Sequence, residues 1–342
     1  MKQYISGFLA LIAMLGLVFS SACTVSTPPE ETTPPPPPPP STEGKPPDEP
    51  KPEPEELPGF PLTIVDDLGR EVEIENLPQR IVSLAPSNTE ILYALGLEEK
   101  IVGVSDYCDY PEAAKTKPRV AGYSAPDIEK LVSLEPDLVL AESIHENTVL
   151  PALENLELPV IVGSATSIDV VLHDITLIGQ VNGKSKVAAR MVNDLTRRIE
   201  TVTSKTESLA PEERPRVLYI CWHDPIWTMG SETFIDDLIW KAGGVNIFSD
   251  DFERSRVVSL EAVVGENPQV VIVSGMGTSG NLIYNSIKKE TRLRTVEAII
   301  ENQVYKISDA NLIERPGPRI VDGLEEVAKL IHPEIFGTLE QK

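Results

Sequence analysis

The sequence predicts an α/β protein of two similar lobes, each with a parallel doubly wound sheet, joined by one long α-helix with a cleft between them. Three observations predict it. Residues 128–141, IEKLVSLEPDLVLA, return at 260–273 as LEAVVGENPQVVIV, so one helix-then-strand unit occurs twice, 132 positions apart. That separation exceeds the roughly 20–50-residue period of a solenoid and gives lobes of about 120 residues, an ordinary domain size. Continuous apolar runs alternate with helical stretches of about 10–15 residues, the pattern of a parallel sheet. Between the two copies, Val187, Met191, Leu195, Ile199 and Val202 lay one apolar stripe along a single helix.

The chain opens on a secretion signal over residues 1–22. Lys2 supplies the positive start, Ile5 to Phe19 is an apolar run too short to span a bilayer comfortably, and Ser20, Ser21 and Ala22 precede Cys23. A cysteine directly after a small-residue cleavage site resembles the lipobox of bacterial lipoproteins, in which the thiol is acylated; Ser20 stands where leucine is usual. The other reading is an ordinary secretory signal with a chance cysteine. Two acyl chains on Cys23 suffice for stable anchoring where one is marginal. Residues 23–60 form a disordered tether. Sixteen of the 31 prolines lie between Thr24 and Pro61, and a stretch without apolar side chains cannot offset the entropy of ordering. At roughly 3 Å per residue such a stalk reaches on the order of 100 Å.

The first lobe is placed at residues 61–182. Residues 63–74 alternate around Asp67-Leu68-Gly69 as a hairpin. Residues 80–111 read strand, loop, helix, Gly96, strand and loop, with Ser87 or Asn88 as helix cap. Further strands fall at Asp137–Ala141 and Pro159–Gly163. The linking helix is placed at 183–209 and the second lobe at 210–338. There the order restarts: a strand at Arg216–Ile220, a loop from Trp222 to Gly230, a helix at Thr233–Ala242, strands at Val245–Phe248 and Val270–Ser274, and a closing helix at Ile320–Ile331.

The net charge of −23 argues against nucleic acid as partner, since a phosphate backbone demands a basic patch. With Cys23 acylated, Cys108 and Cys221 remain, one per lobe. A bridge between them locks a working cleft, so two free thiols are expected.

The motifs RIVSLAPSNTEILYALGL, VGVSDYCDYP, IEKLVSLEPDLVLA, GGVNIF and RPGPRIVDGLEEVAKLIHPE, in that order over nearly all of residues 63–338, resemble the helical-backbone class of solute-binding lipoproteins of ABC importers. Members of that class bind cobalamin, ferric siderophores or heme. SNTEILYALG followed by VGVSDYCDYP looks most like the cobalamin-binding branch. The resemblance implies an extracytoplasmic receptor, anchored to the membrane by lipid, that captures a cobalt corrinoid and delivers it to an ABC permease homodimer with its ATPase subunits. A ferric siderophore or heme is the alternative ligand. It also implies limited hinge motion and neither catalysis nor a resident cofactor. A secreted hydrolase is a distant alternative, because no GxSxG, HExxH or Walker loop occurs.

By position in the motifs, the resemblance places Tyr107 and Tyr123 on the cleft wall. Trp222 and Trp227 follow a strand at its carboxyl end, where open α/β sheets bind ligands, and aromatic faces suit a flat macrocycle because each buries about 150–250 Å². Partial burial in the core is the other reading for Trp227 and Tyr107. Trp240, on the apolar face of a helix, reads as core. Glu129 and Glu261 occupy the same place in the repeat. Each follows a cap residue, Asp127 or Ser259, and gains roughly 0.3–1 kcal/mol from the helix dipole; the resemblance implies in addition that each docks on permease arginines.

Weaker signals remain. Gly275 to Gly280 matches GxGxxG, but at the wrong strand for a dinucleotide fingerprint, and reads as a glycine-rich cleft loop. His223 could ligate cobalt or heme iron, although a lone loop histidine is more often a hydrogen-bonding group. His145, His173 and His332 show no metal-ligand spacing, so no metal site is expected. Arg119, Arg254 and Arg256 are the candidates to meet an anionic chelate.

Overall fold

The computed structural model describes residues 57–275 and 280–339. The signal, Cys23, nearly all of the tether and residues 276–279 of the glycine loop lie outside the described residues.

The first lobe opens with an antiparallel hairpin, β1 (Leu62–Val65) and β2 (Glu71–Ile74). At its tip the Asp66 carboxylate accepts from the backbone N–H of Leu68 and Arg70, and also from Val162 N at 3.1 Å. The tip is therefore fastened to the last strand of the lobe. The elements then run β3 (Ile81–Ser83), α1 (Pro86–Ala94), β4 (Ile101–Val104), α2 (Ile128–Ser133), β5 (Leu138–Glu142), α3 (Leu150–Glu154), β6 (Val160–Gly163) and α4 (Ile168–Val181). Strands β3 to β6 form a parallel sheet in the order β4-β3-β5-β6. Their residues are almost all buried, as expected of strands covered by helices on both faces.

Helix α5 (Ser185–Thr206) follows, 22 residues long. The predicted stripe is its inner face: Leu195, Ile199 and Val202 are buried, and Val187 and Met191 pack on the same core. It lies against α4, α6 (Phe234–Lys241) and α11 (Ile320–Ile331). One apolar cluster thus runs from Ile81 and Leu138 in the first lobe through α4 and α5 to Val217, Tyr219 and Leu324 in the second.

The second lobe repeats the plan with β7 (Arg216–Ile220), β8 (Trp222–His223), β9 (Ile226–Met229), α6, β10 (Val245–Asn246), β11 (Ser255–Val258), α7 (Leu260–Glu266), β12 (Val270–Val273), α8 (Gly280–Lys289), α9 (Glu297–Ile300), β13 (Val304–Lys306), α10 (Asn311–Glu314), α11 and α12 (Pro333–Phe336). Its parallel sheet has the order β10-β7-β12-β13. The internal repeat is visible in backbone detail. Asp127 and Ser259 cap α2 and α7, accepting from Lys130 N at 3.0 Å and Ala262 N at 3.1 Å. After each helix a left-handed residue, Glu135 (φ +47) or Asn267 (φ +43), precedes the proline.

Four expectations are corrected. The stretch read as a loop from Trp222 to Gly230 is a hairpin, and β11 joins it in a three-stranded antiparallel sheet, β11-β9-β8. The strand expected at Val245–Phe248 stops at Asn246, whose side-chain oxygen accepts from Phe248 N at 3.2 Å and turns the chain into the core. Neither Ser87 nor Asn88 caps α1. That helix starts on Pro86, which has no N–H to satisfy, and both side chains are buried and bonded to the end of β5. Trp240 is not core: Ile235, Leu238 and Ile239 supply the buried face of α6, while Trp240 is 55% exposed beneath the Arg214 guanidinium, 4.0 Å from its ring.

Candidate ligand cleft

In the first lobe the carboxyl ends of β3, β4 and β5 carry a connected polar group. β5 ends on Glu142, whose carboxylate accepts the Tyr123 hydroxyl at 2.5 Å and the Ser87 hydroxyl. Buried His145 holds the assembly from behind. Its Nε2 donates to the Tyr123 carbonyl at 2.6 Å, and its Nδ1 lies 3.0 Å from both the N–H and the carbonyl of Glu142. These bonds give His145 a structural part. Burial, then the Glu142 charge, pushes the Tyr123 phenol well above its ordinary range, so it stays a donor. Tyr107 stands edge-on to Tyr123 at 6.5 Å between centroids and is 61% exposed.

Beside this group Asp174, on α4, is buried with Asp67 of the hairpin. Burial first, then the Asp67 carboxylate, pushes Asp174 up to about 9. It is therefore protonated at neutral pH and bonds to Asp67, which in turn accepts from Ser164 N at 2.7 Å.

The second lobe builds a counterpart from other elements. Tyr219, on β7, is buried and bonds Ser274 Oγ at 2.8 Å; Ser274, just past β12, donates to Glu314 at 2.5 Å. Burial raises Glu314 above the usual carboxylate range. Cys221 follows Tyr219 by two positions, and burial with the Glu314 charge pushes its thiol up to about 11. Both Cys108 and Cys221 are free and buried.

Directly opposed residues of antiparallel strands share a face. Trp222 opposes Trp227, and Trp227 opposes Val257, so these three form one apolar face, 45%, 40% and 41% exposed. His223 opposes buried Ile226 and so belongs to the reverse face, which separates it from the tryptophans it was read with.

Segment 314–319 of the second lobe crosses to the first. Arg319 forks onto Glu90, with Nε and Nη2 at 2.8 and 2.7 Å from its two oxygens, and its guanidinium lies 3.8 Å over the Tyr110 ring. Arg315 bonds Asp109 at 2.5 Å and sits 3.7 Å from Glu90. The Glu90 side chain is only 2% exposed, so this pair is a dry, bidentate clamp. Between the arginines, a Cβ on Gly317 would come within 3.4 Å of the Ser87 carbonyl. The lobes touch here, with Glu142 on one side of the junction and Glu314 on the other.

Beside Tyr107, Tyr123, Trp222 and Trp227, the site uses Ser87, expected only as a helix cap, and Glu90, Glu142, Glu314, Arg315 and Arg319, which no sequence motif marked as site residues. One signal was available: a glutamate inside the otherwise apolar TEILYAL run is costly to bury without a partner, and RPGPR supplies two arginines. Arg119 proves structural, donating to the carbonyls of Ser105 and Cys108 at 2.7 and 2.8 Å. Arg256 stacks on Phe252 at 4.9 Å and opposes buried Thr228, off the tryptophan face. Glu129 and Glu261 are both exposed, each at the second position of its helix; the Glu261 charge reaches Arg292.

Two parallel-sheet lobes joined by one long helix, with polar and aromatic groups at the strand carboxyl ends, define a solute receptor. Comparison with known proteins agrees. Residues 81–310 match the periplasmic binding protein family, and the chain belongs to that family, which binds solutes rather than transforming them. The chain is 32% identical over 282 residues to an uncharacterized ABC transporter substrate-binding lipoprotein of Bacillus subtilis (strain 168), covering 81% of this chain and 87% of that one. The crystal structure of the periplasmic vitamin B12 binding protein of Vibrio cholerae superposes with a TM-score of 0.66 at 29% identity, covering 75% of this chain and 97% of that one. A possible iron-binding, periplasmic solute-binding protein of Staphylococcus epidermidis ATCC 12228 gives a TM-score of 0.63 at 31% identity, covering 75% and 100%.

Proposed function

We propose that the protein captures a cobalt corrinoid outside the cytoplasm and delivers it to an ABC importer. The observation that carries this reading is the pair of aromatic surfaces at the strand carboxyl ends: exposed Tyr107 edge-on to half-buried Tyr123 on one lobe, and exposed Trp222 with Trp227 on the other. Flat, stiff side chains bury much of a macrocycle at little rotamer cost. The likeness to a vitamin B12 binding protein supports the same choice. The likeness to a possible iron-binding protein supports the second reading, a ferric chelate; heme is a third.

In this reading residues 1–22 are removed, Cys23 carries the lipid and residues 23–60 hold the body off the membrane, in keeping with the lipoprotein of Bacillus subtilis. The lobes at 61–182 and 210–338 face each other across the helix at 183–209, and Glu129 and Glu261 meet arginines of a two-fold permease served by its ATPase subunits. Calorimetry and absorbance titration with cobalamin, heme and ferric siderophores test the ligand. Corrinoid binding that quenches the Trp222 and Trp227 fluorescence is expected; tight ferric-chelate binding without any for corrinoid defeats the assignment.

A further inference from the structure

We propose that the cleft selects neutral or cationic ligands that donate hydrogen bonds and rejects polyanions, because each lobe sets a hydroxyl-anchored glutamate beside the junction: Glu142 on Ser87 and Tyr123, Glu314 on Ser274. The inference rests on the cleft reading above and narrows its substrate class.

Three observations carry it. First, the carboxyls are built in. Glu142 takes one hydroxyl on each oxygen, from Tyr123 and Ser87, and Glu314 takes the Ser274 hydroxyl, itself held by Tyr219. An acceptor locked this way keeps lone pairs for further donors and has none to give. Both flank the point where Gly317 approaches Ser87; Glu142 adjoins an exposed aromatic face through Tyr123 to Tyr107, and the Glu314 charge reaches Cys221, the residue before Trp222.

Second, most of the arginines that could have met an anion are engaged by the protein; Arg254, exposed just before β11, is the exception. Arg119 is spent on backbone carbonyls, Arg315 and Arg319 on Asp109 and Glu90, and Arg256 on Phe252, away from the tryptophan face. Lys306, at the end of β13, runs its stem alongside Gly280.

Third, the net charge of −23 adds a repulsive far field for anions and an attractive one for cations. A corrin bearing amide side chains, or a cationic ferric trihydroxamate, offers donors to both glutamates. A ferric tricatecholate or the two propionates of heme bring like charge against them.

The test titrates the full chain with cyanocobalamin, the cationic aquocyanocobinamide, a cationic ferric trihydroxamate, a trianionic ferric tricatecholate and hemin. The expected ranking puts the two anions at least about 100-fold below the best neutral or cationic probe. Glu142→Gln and Glu314→Gln should each weaken that best probe by about tenfold, the size of one charge-assisted hydrogen bond. The double variant should also narrow the gap to the tricatecholate, with melting curves showing that each variant is folded. Tight tricatecholate or hemin binding by the unaltered protein overturns the proposal, as does an unchanged ranking in folded variants. Binding of the trihydroxamate with no corrinoid bound ends the corrinoid assignment and leaves charge selection standing, so the two failures are distinct.

Discussion

The lobes share a frame and differ at its rim. In both, a capped helix, a left-handed residue, a proline and a buried strand recur in the same order. At the carboxyl edge the likeness ends. The first lobe presents tyrosines from loops and a glutamate gripped on both oxygens; the second presents tryptophans on a three-stranded sheet of its own and a glutamate gripped through a serine relay. Packing constrains the buried frame tightly, whereas rim segments are free to diverge.

Docking is where the lobes should still be equivalent, and it offers the largest effect. Glu129→Arg and Glu261→Arg together should all but abolish uptake into vesicles, since like charges at an interface cost several kcal/mol, while ligand affinity holds. Each single variant should lose a similar share. If the glutamates act only through the helix dipole, stability drops by under about 1 kcal/mol per site and uptake is normal; normal uptake by the double variant ends the docking claim.

Next is the clamp that ties the two lobes at the junction. Arg319→Ala leaves Glu90 buried without its fork and should cost about 3–5 kcal/mol, read from denaturant midpoints. A single, earlier transition is expected; Arg315→Ala, whose partner Asp109 is half exposed, should cost distinctly less. Two separated transitions in the wild type would show instead that the lobes unfold independently.

The rim difference predicts unequal aromatic contributions. Trp222→Ala and Trp227→Ala should each weaken corrinoid binding by about 10–100-fold, given the area an aromatic buries, with Tyr107→Ala at the low end of that range. Equal losses at all three positions would mean that the two walls contribute alike.

Asp174 gives a smaller effect with a definite sign. Its carboxyl rises to about 9 on folding, so the folded state binds the extra proton and stability falls as pH climbs from about 4 toward 9. Asp174→Asn should remove much of that slope and raise the melting temperature at pH 8. A variant less stable than wild type at pH 8, with the slope intact, contradicts the assignment. The smallest change expected is in shape: with α5 and the shared core spanning the lobes, the radius of gyration should be nearly the same with and without ligand. Large compaction in small-angle scattering contradicts this.

Much of the frame was legible because it is written locally. Strand runs, the helical stripe from Val187 to Val202, the caps Asp127 and Ser259 and the repeat itself depend on neighbours within a few positions, and these features recur in the structure. Boundaries slipped where a side chain found a distant partner. Asp137 leads into β5 rather than starting it because its carboxylate accepts from Gln79 and Arg80 N–H at 2.8 Å each. Trp240 was misread because an amphipathic helix shows which residues are apolar but not how wide a stripe the core covers; here the Arg214 guanidinium covers the ring instead.

By itself, then, the sequence determined two α/β lobes, one linking helix, matched exposed glutamates and aromatic residues at the strand ends. Only the tertiary structure decided the chemistry of the junction. Glu90 meets Arg319 across 229 positions, Ser87 meets Glu142 across 55, and Ser274 meets Glu314 across 40. Periodicity carries no information at such separations. A buried charge advertises that it needs a partner, and the fold alone selects which one.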